Sequence, residues 1–205
     1  MKKLTFAICL LCLMAGTANA YDWALQFGAR GGWLAPTGDE WNELYHDETQ
    51  GFAGGYIDVE LFHGLGPYLA GGAVWAESAW YEDIDVEFYT QDISLGLNGR
   101  WFVTPWLAPN VRAGVLAFRA MEEIRDDFVK INMEHEGIGF EVGAGLLFYP
   151  FAPFKNWASG FAFGFEGLYQ HRPLEGMGNL QDASGIGGAF VLGYRWDFHP
   201  SESAQ

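Results

Sequence analysis

The stretch Asp92-Ile93-Ser94-Leu95-Gly96-Leu97-Asn98-Gly99-Arg100-Trp101 decides the fold. Ile93, Leu95, Leu97 and Trp101 alternate with Asp92, Ser94, Asn98 and Arg100. Successive side chains of a strand point to opposite faces, whereas a helix gathers residues three and four apart. A period of two therefore predicts a strand with one apolar and one polar face.

The same alternation recurs to either side. Trp23, Leu25, Phe27, Ala29 and Trp33 alternate with Gln26, Gly28, Arg30 and Gly32; Ile57, Val59 and Leu61 with Tyr56, Asp58 and Glu60. Val111, Ala113 and Val115 alternate with Asn110, Arg112 and Gly114; Phe140, Val142, Ala144, Leu146 and Phe148 with Gly139, Glu141, Gly143 and Gly145. Phe161, Phe163 and Phe165 alternate with Ala162, Gly164 and Glu166; Phe190, Leu192, Tyr194 and Trp196 with Gly193, Arg195 and Asp197. A further strand, around 68–76, is apolar or glycine on both faces, so its orientation stays open. Eight strands result, joined by turns at 63–67, 103–106 and 150–159 and by long polar loops at about 34–50, 77–88, 119–136 and 171–184. Short turns on one rim and long loops on the other predict an up-and-down antiparallel barrel.

The 205 residues suit one domain, and the formal charge of −15 argues against nucleic acid as a partner. Lys2 and Lys3, an apolar run over 4–14 and Ala18-Asn19-Ala20 have the form of a secretory signal. The expected division is a cleaved signal at 1–20, a barrel at 21–198 and a short tail at 199–205. Cys9 and Cys12 both fall in the signal, so no thiol is expected in the exported chain.

Which face points inward follows from composition. The charges and many of the 28 glycines share one face. Small side chains fit the lumen of a narrow barrel, and the opposite face of Phe, Leu, Val and Trp suits lipid. Aromatic residues gather near the strand ends. Trp23, Tyr68, Trp101, Trp106, Phe148, Phe151, Trp157, Trp196 and Phe198 stand near the short-turn rim, and Trp33, Trp80, Tyr81, Phe118 and Tyr169 near the other. Aromatic rings favour membrane interfaces.

The last strand ends Gly193-Tyr194-Arg195-Trp196-Asp197-Phe198, a Gly-x-x-apolar-x-apolar pattern. With eight alternating segments before it, residues 21–198 resemble the small outer-membrane barrels of the OmpA/OmpX superfamily. That resemblance implies an eight-stranded transmembrane β-barrel of the bacterial outer membrane, in contact with the lipid bilayer and lipopolysaccharide. It implies an insertion machinery that reads Gly193, Trp196 and Phe198, and no cofactor. Val191 stands where the pattern usually has a polar residue, and seven residues follow Phe198, so no peptidoglycan-binding domain is expected.

The expected lumen carries Arg30, Arg100, Arg112 and Arg195 against Asp58, Glu60, Glu141 and Glu166, with Asp92 and Asp197 nearer the ends. Unpaired charge in a narrow lumen is costly, so these groups should pair into a plug, Arg112 with Glu141 first. The loops hold most of the acids and suit divalent cations or an external surface partner. Asp83, Asp85 and Glu87 alternate as oxygen ligands, without the glycine and spacing of an EF-hand. Trp41 and Tyr45 are expected exposed on loop one, as binding anchors.

A structural or surface-interaction role is the first reading. A narrow channel, or a path for small hydrophobic molecules, is the second. A lipid A-modifying enzyme is the third. The deacylase among similar barrels uses a His-x-Ser pair, but here Pro173 follows His171 and Arg172 where the serine would stand, and Ser184 lies across the loop. His46, His63, His135 and His199 are scattered and form no H-E-x-x-H motif.

Overall fold

The computed structural model describes residues 23–38, 41, 45, 49–61, 64–79, 85–125, 130–151, 159–174 and 181–198. The eight strands are β1 (Trp23–Pro36), β2 (Gln50–Glu60), β3 (Leu65–Ala79), β4 (Asp85–Arg100), β5 (Leu107–Arg125), β6 (Lys130–Phe148), β7 (Ser159–His171) and β8 (Gly185–Phe198). Each pairs antiparallel with the next, and β1 pairs with β8, closing the barrel.

The register fixes the geometry. One row of paired residues runs Gln26, Asp58, Tyr68, Gly96, Gly114, Glu141, Gln170, Gly185 and back to β1 at Pro36. The circuit returns ten residues further along, from 26 to 36, which is the shear of the barrel. With eight strands, that shear sets a tilt of about 40° and an axial rise of about 2.5 Å per residue.

The alternation read from the sequence sorts the faces. Phe27, Ile93, Leu95, Leu97, Val115, Phe161, Phe165 and Leu192 point outward and are exposed, while Arg30, Asp58, Asp92, Arg100, Arg112, Glu141 and Glu166 point inward and are buried. An apolar exterior around a charged interior is the reverse of a soluble barrel and is the surface of a transmembrane one. On β3, Tyr68, Ala70, Val74 and Ala76 face inward and Leu65, Leu69 and Trp75 outward. No helix among the described residues is long and apolar enough to cross a membrane.

Inward glycines make room for large polar side chains. A Cβ on Gly114 would lie 2.5 Å from the Tyr68 hydroxyl, and one on Gly193 2.4 Å from the Tyr56 hydroxyl. A Cβ on Gly143 would meet Glu166 Oε1 and Arg112 Nε. Gly64, between β2 and β3, has φ +87°, and a Cβ there would lie 1.7 Å from the Arg100 carbonyl oxygen, so this turn requires glycine.

Four expectations change. Tyr68 and Phe118 are buried in the lumen and belong to neither aromatic rim, because their strand parity carries them inward. Leu61 lies past the end of β2 and is buried. The segments read as loops two and three are mostly strand: β3 and β4 remain paired to Ala79 and Asp85, and β5 and β6 to Arg125 and Lys130. Polar residues mark a strand that has left the membrane as readily as they mark a loop. Trp80, Tyr81, Trp157, the signal at 1–20 and the tail at 199–205 lie outside the described residues.

Candidate functional site

Charged and polar side chains of the described residues project into the lumen. Near the short-turn rim, Arg100 Nη2 lies 2.9 Å from Asp58 Oδ2 and Arg100 Nη1 3.8 Å from Glu60. Arg195 bonds Glu60 and donates to Asp197 at 2.6 Å. Beside them Gln26 donates to the Tyr56 hydroxyl at 2.7 Å and accepts from the Tyr149 hydroxyl at 2.8 Å.

Glu141 on β6 is the hub. It is 0% exposed and accepts two hydrogen bonds from Arg30, which crosses from β1, at 3.1 and 2.9 Å. Gln170 donates to it at 2.6 Å, and the Tyr68 and Ser94 hydroxyls at 3.3 Å each. Arg112 Nε lies 3.4 Å away and reaches Glu166 through Nη2 at 2.9 Å. The expected Arg112–Glu141 pair is thus brought together, but Arg30 is the closer partner of Glu141. One layer higher Arg172 pairs with Asp92 at 2.6 Å and bonds Gln170. Sequence reasoning missed Arg172. Extending the inward parity of β7 from Glu166 through Leu168 and Gln170 would have reached it.

Above this layer the lumen turns apolar. Trp41 and Tyr45 are both 0% exposed, which overturns their reading as exposed anchors. Their rings stack at 4.2 Å, and Phe88 meets Trp41 edge-on at 5.0 Å. Ala76, Val86, Leu116, Phe118, Ala120, Leu174 and Ala183 complete the cluster. Rings of this size bury more apolar area in the barrel mouth than a solvated loop could offer them. The Tyr45 hydroxyl donates to buried Glu122 at 2.7 Å. Burial, with the Glu122 carboxylate beside it, pushes the Tyr45 phenol well above its usual range. Tyr45→Phe leaves Glu122 without that donor and should lower stability by about 1–3 kcal/mol, whereas Tyr45→Phe with Glu122→Met should be nearly neutral. Urea midpoints of the two variants check this; equal losses would mean Glu122 is solvated.

The rim is uneven. β5 and β6 have 19 residues each, against 13 in β7, 14 in β8, 14 in β1 and 11 in β2. The strands β3 to β6 therefore stand as a wall about 15 Å above the rest of the rim. Glu77, Glu87 and Glu123 sit directly opposite one another on its outer face. Lys130 at 2.7 Å and Arg125 both pair with Glu123, and the two partners hold its carboxyl below the usual carboxylate range. Arg119 pairs with Glu134 at 2.5 Å. Of the proposed oxygen ligands, Glu87 is exposed on this wall, Asp85 pairs in register with Arg125, and Asp83 lies outside the described residues. Among the described residues no three His, Cys, Asp or Glu side chains gather as a metal site. Gly193, Trp196 and Phe198 lie along β8, with Trp196 facing outward and Phe198 stacked on Trp23 at 3.9 Å.

His171 Nδ1 lies 2.8 Å from Ser184 Oγ, a contact the sequence reading did not expect. The β7–β8 register carries it: Gln170 faces Gly185, so His171 faces Ser184 one step on. Ser184 is fully buried, and its Oγ also accepts the Arg172 N–H at 2.9 Å, so this hydroxyl has a structural place at the rim.

A closed eight-stranded barrel with an apolar belt and a charged lumen defines the class: a small transmembrane β-barrel. The chain matches no family model, and no curated protein matches it. Among solved structures it is similar to Ail, the attachment invasion locus protein of Yersinia pestis, at 14% identity and TM-score 0.48, over 86% of this chain and 98% of that one. It is similar to Neisserial surface protein A at 12% identity and TM-score 0.47, over 86% and 97%. It is similar to the N-terminal barrel domain of Pseudomonas aeruginosa OprF at 18% identity and TM-score 0.44, over 85% and 97%. The fold assignment rests on this chain's own register and burial.

Proposed function

We propose that this chain is a non-enzymatic barrel of the bacterial outer membrane whose role is exercised at the outer surface. It presents an acidic wall of sheet to external partners, and its lumen is a plug. The raised wall over a filled lumen carries this reading. Residues held between membrane interfaces have no need of four strands that continue beyond the belt. The paired arginines and carboxylates, and the stacked rings above them, support the reading of the lumen as a plug. Export through a cleaved signal, insertion through Gly193, Trp196 and Phe198, and contact with lipopolysaccharide belong to the same proposal. The carboxylates of the wall would meet the lipid phosphates through divalent cations.

Planar-bilayer recording tests the plug. The folded protein should be silent across voltage. Steady conductance would replace the surface role with the channel reading.

A further inference from the structure

We propose that Trp41 and Tyr45 form an acid-tightened cap on the barrel mouth: proton uptake at Glu122 seats the two rings, and proton release loosens them. The device acts within the chain and stands apart from the surface role.

Glu122 differs from the other buried carboxylates. Asp58, Asp92, Glu141 and Glu166 each face an arginine at 2.6 to 2.9 Å. Glu122, on the inner face of the raised wall, is 3% exposed, and among the described residues no cation pairs with it. Its hydrogen-bond donor is the Tyr45 hydroxyl at 2.7 Å. An ionised carboxylate in apolar surroundings without a cation is costly, whereas its neutral acid is far less so. Charged Glu122 therefore opposes its own burial, and neutral Glu122 does not.

The groups that face Glu122 leave this cost in place. Register sets Phe88 of β4 on one side of it and Met133 of β6 on the other. Leu174 and Ala183, from the β7–β8 connection, belong to the same apolar cluster. His135 shares the inner face of β6 with Met133, its ring 6.2 Å from that of Phe118. Asp182 accepts the Ser184 N–H at 2.7 Å, and Arg172 is held by Asp92. Glu123 pairs with Arg125 and Lys130 on the outer face.

Tyr45 couples the carboxyl to the rings. It bonds Glu122, stacks on Trp41 at 4.2 Å, and meets Phe88 edge-on at 6.2 Å. Whatever weakens the seat of Tyr45 thus weakens that of Trp41. Burial raises the Glu122 carboxyl above its usual range, with the Tyr45 bond pulling the other way. A group held high when capped takes up its proton more readily capped than wetted. By linkage, the capped state gains on the open one as pH falls through that raised range, and loses the gain as pH rises above it.

The test reads how far Trp41 is open to water. The full chain, carrying fluorinated tryptophan, is held in lipid nanodiscs, and the Trp41 fluorine line is assigned by its loss in Trp41→Phe. A soluble gadolinium chelate broadens the line when the ring is wetted. The broadening should fall about threefold between about pH 8 and about pH 5, as Glu122 takes up its proton. Glu122→Gln keeps an acceptor for Tyr45 and carries no charge, so its line should be protected at both pH values as the parent's is in acid. His135→Gln should keep the parent's response. Unboiled gel migration confirms that each variant is a folded barrel. Equal broadening of the parent line at both pH values overturns the cap. So does a full response in Glu122→Gln. Loss of the response in His135→Gln overturns it too, since the titrating group would then be the imidazole.

Discussion

Glu141→Ala is expected to destabilise the barrel by about 3–5 kcal/mol, the largest loss from any single lumen substitution. Arg30 makes its ion pair with Glu141 alone among the described residues, and its side chain is 5% exposed. Without the carboxylate, Arg30 keeps its charge and loses its ion-pair partner, with Glu166 left as a more distant carboxylate. Arg112 is less affected, since Glu166 still lies 2.9 Å away. Gln170, Tyr68 and Ser94 each lose an acceptor as well. The decisive comparison is Arg30→Met with Glu141→Leu, which removes both charges. Replacing a buried pair by apolar groups of similar volume is often neutral or stabilising, so the double variant should recover most of the loss. Urea midpoints of refolded protein, read beside unboiled gel migration, measure both. A Glu141→Ala midpoint equal to the parent would mean that water reaches Arg30, and the plug reading would fail with it.

Much of the barrel was legible because period-two alternation is a local property. Ile93-Ser94-Leu95 announces two faces with no knowledge of its neighbours, and every strand with clear alternation faces as read. β3 could not be oriented, because Ala70, Gly71, Gly72 and Ala73 give no contrast; its facing is settled by pairing, when Ile57 meets Leu69 and Leu69 meets Leu95. Register explains the mixed outcome in the lumen. The sequence named the charged residues, but which arginine reaches Glu141 depends on the shear that brings β1 across from β6. Arg112 was the natural choice as a neighbour in the sheet; Arg30, from the far wall, makes the bidentate bond.

The upper rim was the least legible, for a related reason. Polarity along 119–136 suggested a loop, yet those residues pair across the whole hairpin. Above the membrane both faces of a strand can be wetted, so the alternation that identified the lower strands fades while the ladder continues. Trp41 and Tyr45 failed in the opposite sense: a loop can fold back, and two large rings near a barrel mouth gain more by entering it than by meeting water. In the sequence Pro173 reads only as the residue standing where a serine would be. In the fold its missing N–H ends the β6–β7 ladder, a consequence visible only once the register is known.

Phe165→Arg tests the orientation of the whole barrel and should cost about 2–4 kcal/mol in a bilayer. Phe165 points outward from β7, is 64% exposed, and meets Phe190 edge-on at 5.5 Å. It stands six residues above Ser159, about 15 Å up the axis and close to the middle of an apolar band about 25 Å tall. An arginine there must snorkel or draw water into the hydrocarbon. Ile138→Arg provides the contrast. Ile138 is more exposed, at 72%, but lies where Gln91, Arg119 and Glu136 enter the outer surface. An arginine at that level reaches the headgroups and should cost about 0–1 kcal/mol. Fractional exposure alone ranks these sites the other way, so the pair separates depth in a membrane from simple accessibility. Refolding into lipid vesicles and comparing denaturation midpoints decides it. Two small and equal effects would mean that water bathes the Phe-rich face, and the apolar belt would have to be buried against protein instead of lipid.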